Sequence, residues 1–144
     1  MKYHSGDDSS VYDSIIARYL TMMKKLLAEP SCNFAEVSAR TVPEEPGVYI
    51  IHNKRVKAVI YAGRTKNLRR RLLSNHKRGN VKGSQFRRAL KQNFALKSEN
   101  EITNYILENC SFQFLAIDEF EEMVRLEHFI TAVLAPILNI QLKQ

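Results

Sequence analysis

Cysteine is scarce in this 144-residue chain: only Cys32 and Cys110 occur. They stand far apart, with no further Cys or His at ligand-like spacing, which excludes a zinc-binding pattern and leaves two thiols expected to be reduced and partly buried. Glycine and proline are few as well, 5 and 4 residues, so a long disordered portion is not expected. The start, MKYHSGDDSS, has no apolar stretch of signal-peptide length, and the longest apolar run, FITAVLAPIL, is too short to span a bilayer. A cytoplasmic protein without membrane contact is expected. His4, His52 and His128 lack an i, i+4 ligand partner, and no glycine-rich phosphate loop, repeat or heptad seam occurs.

The most informative absence is acidic. Between Glu45 and Glu99 there is no Asp or Glu, while 15 of the 22 Lys and Arg fall there. With a net charge of +7 and a pI near 9.5, this one-sign segment reads as a phosphate-contacting surface, with nucleic acid as the commonest ligand. The plainer alternative is a solvated face of long side chains.

Length and an apolar fraction of 44% suit one domain of mixed helices and strands. Residues 1–9 are polar and expected to fray. Ser10 reads as the N-cap of a helix over Val11–Ala28, with Ile15, Ile16, Tyr19, Leu20, Met23, Leu26 and Leu27 at helical spacing. Val48–Asn53 and Val56–Ala62 read as a hairpin turning at Asn53-Lys54-Arg55. Asn67 caps a helix over Leu68–His76, and Gly83-Ser84 opens a basic helix over Gln85–Asn93. Glu101–Glu108 reads as a helix and Ser111–Ile117 as a third strand. Asp118 with Glu121 forms a capping-box pattern before a last helix that ends at Pro136.

On that last helix Glu127 falls in an apolar stripe with Phe120, Met123, Val124, Ile130, Thr131 and Leu134. A carboxylate there must be paired, protonated or bound to a metal, so a functional site and a salt bridge to some arginine both stand open. Carboxylate, arginine and paired tyrosines together form a toolkit for phosphodiester hydrolysis.

These residues also carry a family likeness. "Gly47-Val48-Tyr49" followed by "Tyr61-Ala62-Gly63" resembles the paired signature of the GIY-YIG nuclease superfamily. Arg71 follows ten residues after Tyr61, and "Glu127-His128-Phe129-Ile130 … Pro136-Ile137-Leu138-Asn139" resembles the family's metal-binding Glu and terminal Pro-x-x-Asn segment. The resemblance covers about residues 43–140. It implies an α+β fold (broadly α/β) with a small three-stranded antiparallel sheet flanked by helices and the site on one sheet face. Residues 1–42 become a helical extension packed on a nuclease domain at 43–144.

Carried over by position, the resemblance assigns Tyr49 as general base or water-orienting phenol, Tyr61 as a partner of phosphate or water, and Arg71 as the phosphate-stabilising cation. Glu127 becomes the ligand of one Mg²⁺ or Mn²⁺, and Asn139 an orienting group for a tyrosine or the local backbone. An ordinary phenol pKa of about 10 is high for a base, so nearby charge, Lys57 or a metal-bound hydroxide, is expected to assist. Apart from the likeness, the tyrosines could simply pack on the sheet and Asn139 could be a turn residue. One departure stands out: relatives often carry His or Tyr four residues after the arginine, where this chain has Asn75, and His76 follows. On an ideal α-helix His76 lies about 140° from Arg71, so it serves the site only if the helix unwinds.

The expectation is a metal-dependent endonuclease that cleaves DNA and leaves 5′-phosphate and 3′-hydroxyl ends. Arg64, Lys66, Arg69, Arg70, Lys77, Arg78, Lys82, Arg87, Arg88 and Lys91 are expected to track the nucleic-acid backbone, with a partner protein or a homodimer as the source of specificity. The alternatives are a noncatalytic nucleic-acid-binding module on a degenerate nuclease fold and an interaction subunit of a repair or defence complex.

Overall fold

Helix α1, Ser9–Ala28, opens the molecule in the computed structural model, which describes residues 9–139. The fraying expected for residues 1–9 lies mostly outside that range, as does His4. Ser10 stands inside α1 and does not cap it. Tyr19, Met23 and Leu26 bury one stripe. Ile15 and Ile16, expected on that stripe, stay exposed because the partner surface of sheet and last helix begins only at Tyr19.

The strands are β1 (Cys32–Asn33), β2 (Gly47–Asn53), β3 (Ala58–Thr65) and β4 (Cys110–Ala116), arranged antiparallel in the order β1-β4-β2-β3. The sheet therefore has four strands where three were expected. The extra one, β1, pairs Cys32 with Phe112 and Asn33 with Ser111, and two residues are too short to leave an alternating pattern. The hairpin also turns later than expected, through Lys57 at a left-handed φ of 53°, so β3 runs to Thr65.

Helices cover both sheet faces, which explains why the first five residues of β2 are all buried. Val48 and Ile50 pack with Tyr19, Met23 and Leu26 of α1 and with Met123, Leu126 and Ile130 of α4 (Phe120–Leu134). Tyr49 and Ile51 point the other way, into a core with Leu68, Leu72, Phe86 and Leu90. That second layer contains α2 (Gln85–Asn93) and α3 (Glu99–Asn109), capped by Ser84 and Ser98. Both cysteines are free, and no helix of the described residues is long and apolar enough to cross a membrane. Glu119 occupies the N-cap of α4 without a side-chain bond, so the expected capping box does not form.

The segment after β3 departs most from expectation. Asn67 caps its first turn, its Oδ1 accepting from Arg70 N at 3.0 Å, but Arg70–Lys77 then winds as a π-helix instead of an α-helix. Gly79 lets the chain close behind it, since a Cβ there would stand 2.2 Å from the Asn75 carbonyl oxygen. Arg87, expected on the nucleic-acid surface, is instead fully buried and finishes this helix. Its guanidinium donates to the carbonyls of His76 (3.0 Å), Lys77 (3.2 Å) and Glu99 (3.0 Å), to Thr103 Oγ1 (2.9 Å), and pairs with the Glu99 carboxylate at 3.1 Å. The correction has a simple cause: Arg87 follows Phe86 and precedes Leu90 on the packed side of α2, and charge in a sequence does not reveal its face.

Replacing Arg87 with Met leaves buried carbonyls without donors. A loss of about 2–4 kcal/mol in urea unfolding is expected.

Candidate active site

The two tyrosines are brought together by strand register. Tyr49 on β2 lies opposite Gly63 on β3, and Tyr61 lies opposite Ile51, so both phenols leave the same sheet face at diagonal positions. Their ring centroids are 6.3 Å apart. Gly63 is required here: a Cβ would stand 2.4 Å from the Tyr49 hydroxyl, which crosses the strand at that point.

β3 is an edge strand, and residues from both faces meet around it in a cleft of about 270 Å³. Tyr49, Tyr61 and Arg71 reach it from one side, Arg64 and Glu127 from the other, with Asn139 and Gln85 at its border. The cleft was expected on one sheet face; the bare glycine lets it draw on both. The side-chain hydrogen bonds of Asn139 go to the strand backbone. Its amide clamps the β3 backbone, Oδ1 accepting from Ala62 N at 2.7 Å and Nδ2 donating to Ala62 O at 2.8 Å. Ala135, in the left-handed region at the end of α4, sends the chain back to make this clamp.

Glu127 is not sealed in the core. Its side chain is 19% exposed at the cleft and pairs with Arg64 at 2.5 Å. Of the two readings left open by the sequence, the salt bridge to an arginine is present, and the same carboxylate lines the cleft with the tyrosines. Arg64, expected to track the backbone, sits inside this constellation.

The π-helix decides the position of histidine. Its i→i+5 bonding widens each turn by about one residue, so the fifth position after Arg71 arrives where the fourth would on an α-helix. His76 is consequently buried against the phenols, with Nε2 2.7 Å from the Tyr49 hydroxyl and Nδ1 2.7 Å from Ser84 Oγ. Asn75 lines a neighbouring groove instead. Ser84 Oγ also accepts from Arg87 N at 3.0 Å, so one hydroxyl holds both the start of α2 and the histidine ring. Neither Ser84 nor Gln85 was singled out for the site, and the only signal was the helix-capping pattern at Ser84.

Burial first, then the charges of Arg71 and Arg87, lower the His76 pKa to about 3, so the ring is neutral at physiological pH. Burial pushes the Tyr49 phenol well above its ordinary value, with Tyr61 adding to the rise; Arg71 opposes it through its charge and a hydrogen bond. Tyr61 is raised in the same way. The assistance expected from Lys57 is absent, because Lys57 lies in the hairpin turn.

The remaining cations divide. Arg69 is held by Val42 O at 2.8 Å and by Glu44 at 3.5 Å, and Arg88 by two bonds to Val81 O at 3.1 and 3.2 Å. Lys66, Arg70, Arg78, Lys82 and Lys91 are exposed, and Lys77 is half-buried.

The fold is thus α+β, a small antiparallel sheet covered on both faces with a cleft at its open edge lined by two arginines, two tyrosines and a glutamate. The sequence profile of the GIY-YIG catalytic domain matches residues 18–144, and the chain belongs to that family. No curated protein sequence matches. Among solved structures, the magnesium-bound N-terminal GIY-YIG endonuclease domain of UvrC from Thermotoga maritima is 22% identical. The match covers 73% of this chain and 99% of that one at a TM-score of 0.45. A point mutant of the same domain, bound to its catalytic divalent cation, is 24% identical over 74% of this chain and 99% of that one, also at 0.45.

The buried histidine makes stability depend on pH. Its folded pKa lies below the ordinary 6.5, so the unfolded chain binds more protons between the two values. The contribution is present above pH 6.5 and is lost as pH falls towards 3. Between pH 7 and pH 5 the wild type should lose about 2 kcal/mol in urea unfolding through this group, and His76→Gln should abolish that part of the slope.

Proposed function

We propose that the protein is a divalent-metal-dependent endonuclease hydrolysing DNA phosphodiester bonds at the Tyr49–Glu127 cleft. The observation that carries this reading is convergence: two phenols, two guanidiniums and one carboxylate border a single cleft at the edge of β3. On this reading the nuclease domain assigned to residues 43–144 is completed by β1 and carries α1 packed on its sheet, and the protein acts in the cytoplasm.

The donor set fits a hard cation. Glu127 is the carboxylate that would hold Mg²⁺ or Mn²⁺, and no cluster of three or more Asp, Glu, His or Cys suited to a metal occurs among the described residues. Such ions keep most of their water and accept one or two carboxylates together with substrate phosphate oxygens. The chemistry a divalent cation supplies there is positive charge beside the phosphate and the phenols.

The chain's own groups perform the rest. Arg71 grips the scissile phosphate and stabilises the charge that grows on its oxygens. Tyr49 orients the attacking water; its oxygen lies 2.7 Å from His76 Nε2, and the Arg71 charge favours loss of its proton during attack. Tyr61 contacts the phosphate or water, His76 holds Tyr49 in place, and Asn139 fixes the strand that carries Tyr61. Exposed Lys66, Arg70, Arg78, Lys82 and Lys91 follow the backbone and make affinity salt-sensitive.

One observation favours a noncatalytic nucleic-acid-binding module instead: the Glu127 carboxylate is neutralised by Arg64. Supercoiled plasmid and single-stranded DNA incubated with Mg²⁺, Mn²⁺ or EDTA separate the two readings. Cutting that requires the metal and falls at least about 100-fold in Arg71→Ala and Glu127→Ala is expected. Wild-type binding without cutting would overturn the nuclease reading.

Arg64 should also compete with the cation for Glu127. Calorimetric titration of free protein with Mn²⁺ is expected to show roughly ten-fold tighter binding for Arg64→Gln than for wild type.

A further inference from the structure

Phe120 was expected in the apolar stripe of α4, yet it is 58% exposed. It sits on the rim of a groove of about 580 Å³, within the range of small-molecule sites. Arg64 and Arg71 line both this groove and the smaller cleft, so the two spaces meet at these guanidiniums. Phe120 also precedes Glu127 by seven residues, two turns on one helix face and about 10 Å along the axis.

We propose that the groove holds the nucleoside next to the scissile phosphate, with its base stacked on Phe120 and unpaired. This rests on the nuclease reading above and specifies its substrate as single-stranded or locally opened nucleic acid.

The walls of the groove differ in the way a nucleotide requires. Lys66 and Arg70 add positive charge beside Arg64 and Arg71, which suits the sugar-phosphate chain. Phe120 supplies exposed apolar surface and Asn75 borders the groove with an amide for a base edge, while the Asn67 carboxamide oxygen is held by Arg70 N. Phosphate is not suited to the Phe120 end: Asp118, Glu119 and Glu121 surround it and are exposed. A neutral base face avoids that repulsion. In a duplex both faces of a base are covered by its neighbours, so stacking on a protein ring requires an unstacked base.

The test uses the full chain carrying Glu127→Gln, in EDTA, so that cleavage does not complicate binding. Single-stranded DNA oligonucleotides with one 2-aminopurine, moved base by base, and a fluorescein-labelled duplex of the same sequence are titrated. The expected result is quenching of 2-aminopurine at one position in the bound strand, lost in Phe120→Ala and kept in Phe120→Trp. Single-strand affinity should fall roughly ten-fold in Phe120→Ala, duplex affinity should hold, and the salt slope should stay the same. No loss of single-strand affinity, or an equal loss on duplex, would overturn the proposal. Failure of wild-type cleavage with this stacking intact would remove the nuclease reading and leave the base site standing.

Discussion

The hydrogen bond between Tyr49 and His76 is the contact on which the site depends. It requires a histidine to reach a buried phenol from a helix on which α-geometry would turn it away. Widening that helix to π spacing solves the problem, and the solution needs support at both ends. Asn67 caps the beginning, Gly79 admits the tight exit, and the buried Arg87 gathers the last two carbonyls. Ser84 then joins the two tasks, capping α2 through Arg87 N and fixing the histidine ring through Nδ1.

A second constraint is electrostatic. The acid-free stretch of the chain surrounds the cleft with positive charge, and Glu127 enters it from α4 on the other side of the sheet. Arg64 neutralises that carboxylate, so the free protein avoids an unpaired negative charge next to two phenols whose pKa values it would raise further. The arginines of the segment have different environments. Arg71 faces the phenols, Arg64 meets Glu127, Arg69 ties down the connector before β2, and Arg87 is a structural strut.

Much of this organisation was legible in the residues. β-branched and aromatic runs on either side of a polar turn located the hairpin, so Tyr49 and Tyr61 could be placed on adjacent strands. Helical spacing located α4 and made Glu127 stand out among apolar neighbours. The order of GVY, YAG, Arg71, Glu127 and the Pro-x-x-Asn segment carried the family likeness that the profile match establishes. The two-residue strand β1 was hidden because it is shorter than any periodicity. The burial of Arg87 was hidden because packing on α3 decides it, and Phe120 read as core because a helical stripe does not say where the sheet beneath it ends.

The sequence by itself determined the alternation that pairs the tyrosines, the acid-free basic segment and the glycine without which the Tyr49 hydroxyl could not cross β3. These are local properties, set by side-chain size, charge and backbone period. Tertiary structure alone decided that the cleft draws on both sheet faces, that Arg64 pairs with Glu127, and that His76 meets Tyr49 where Asn75 does not. Each of those outcomes is settled by donors, acceptors and steric limits supplied by residues distant along the chain, which no local pattern encodes.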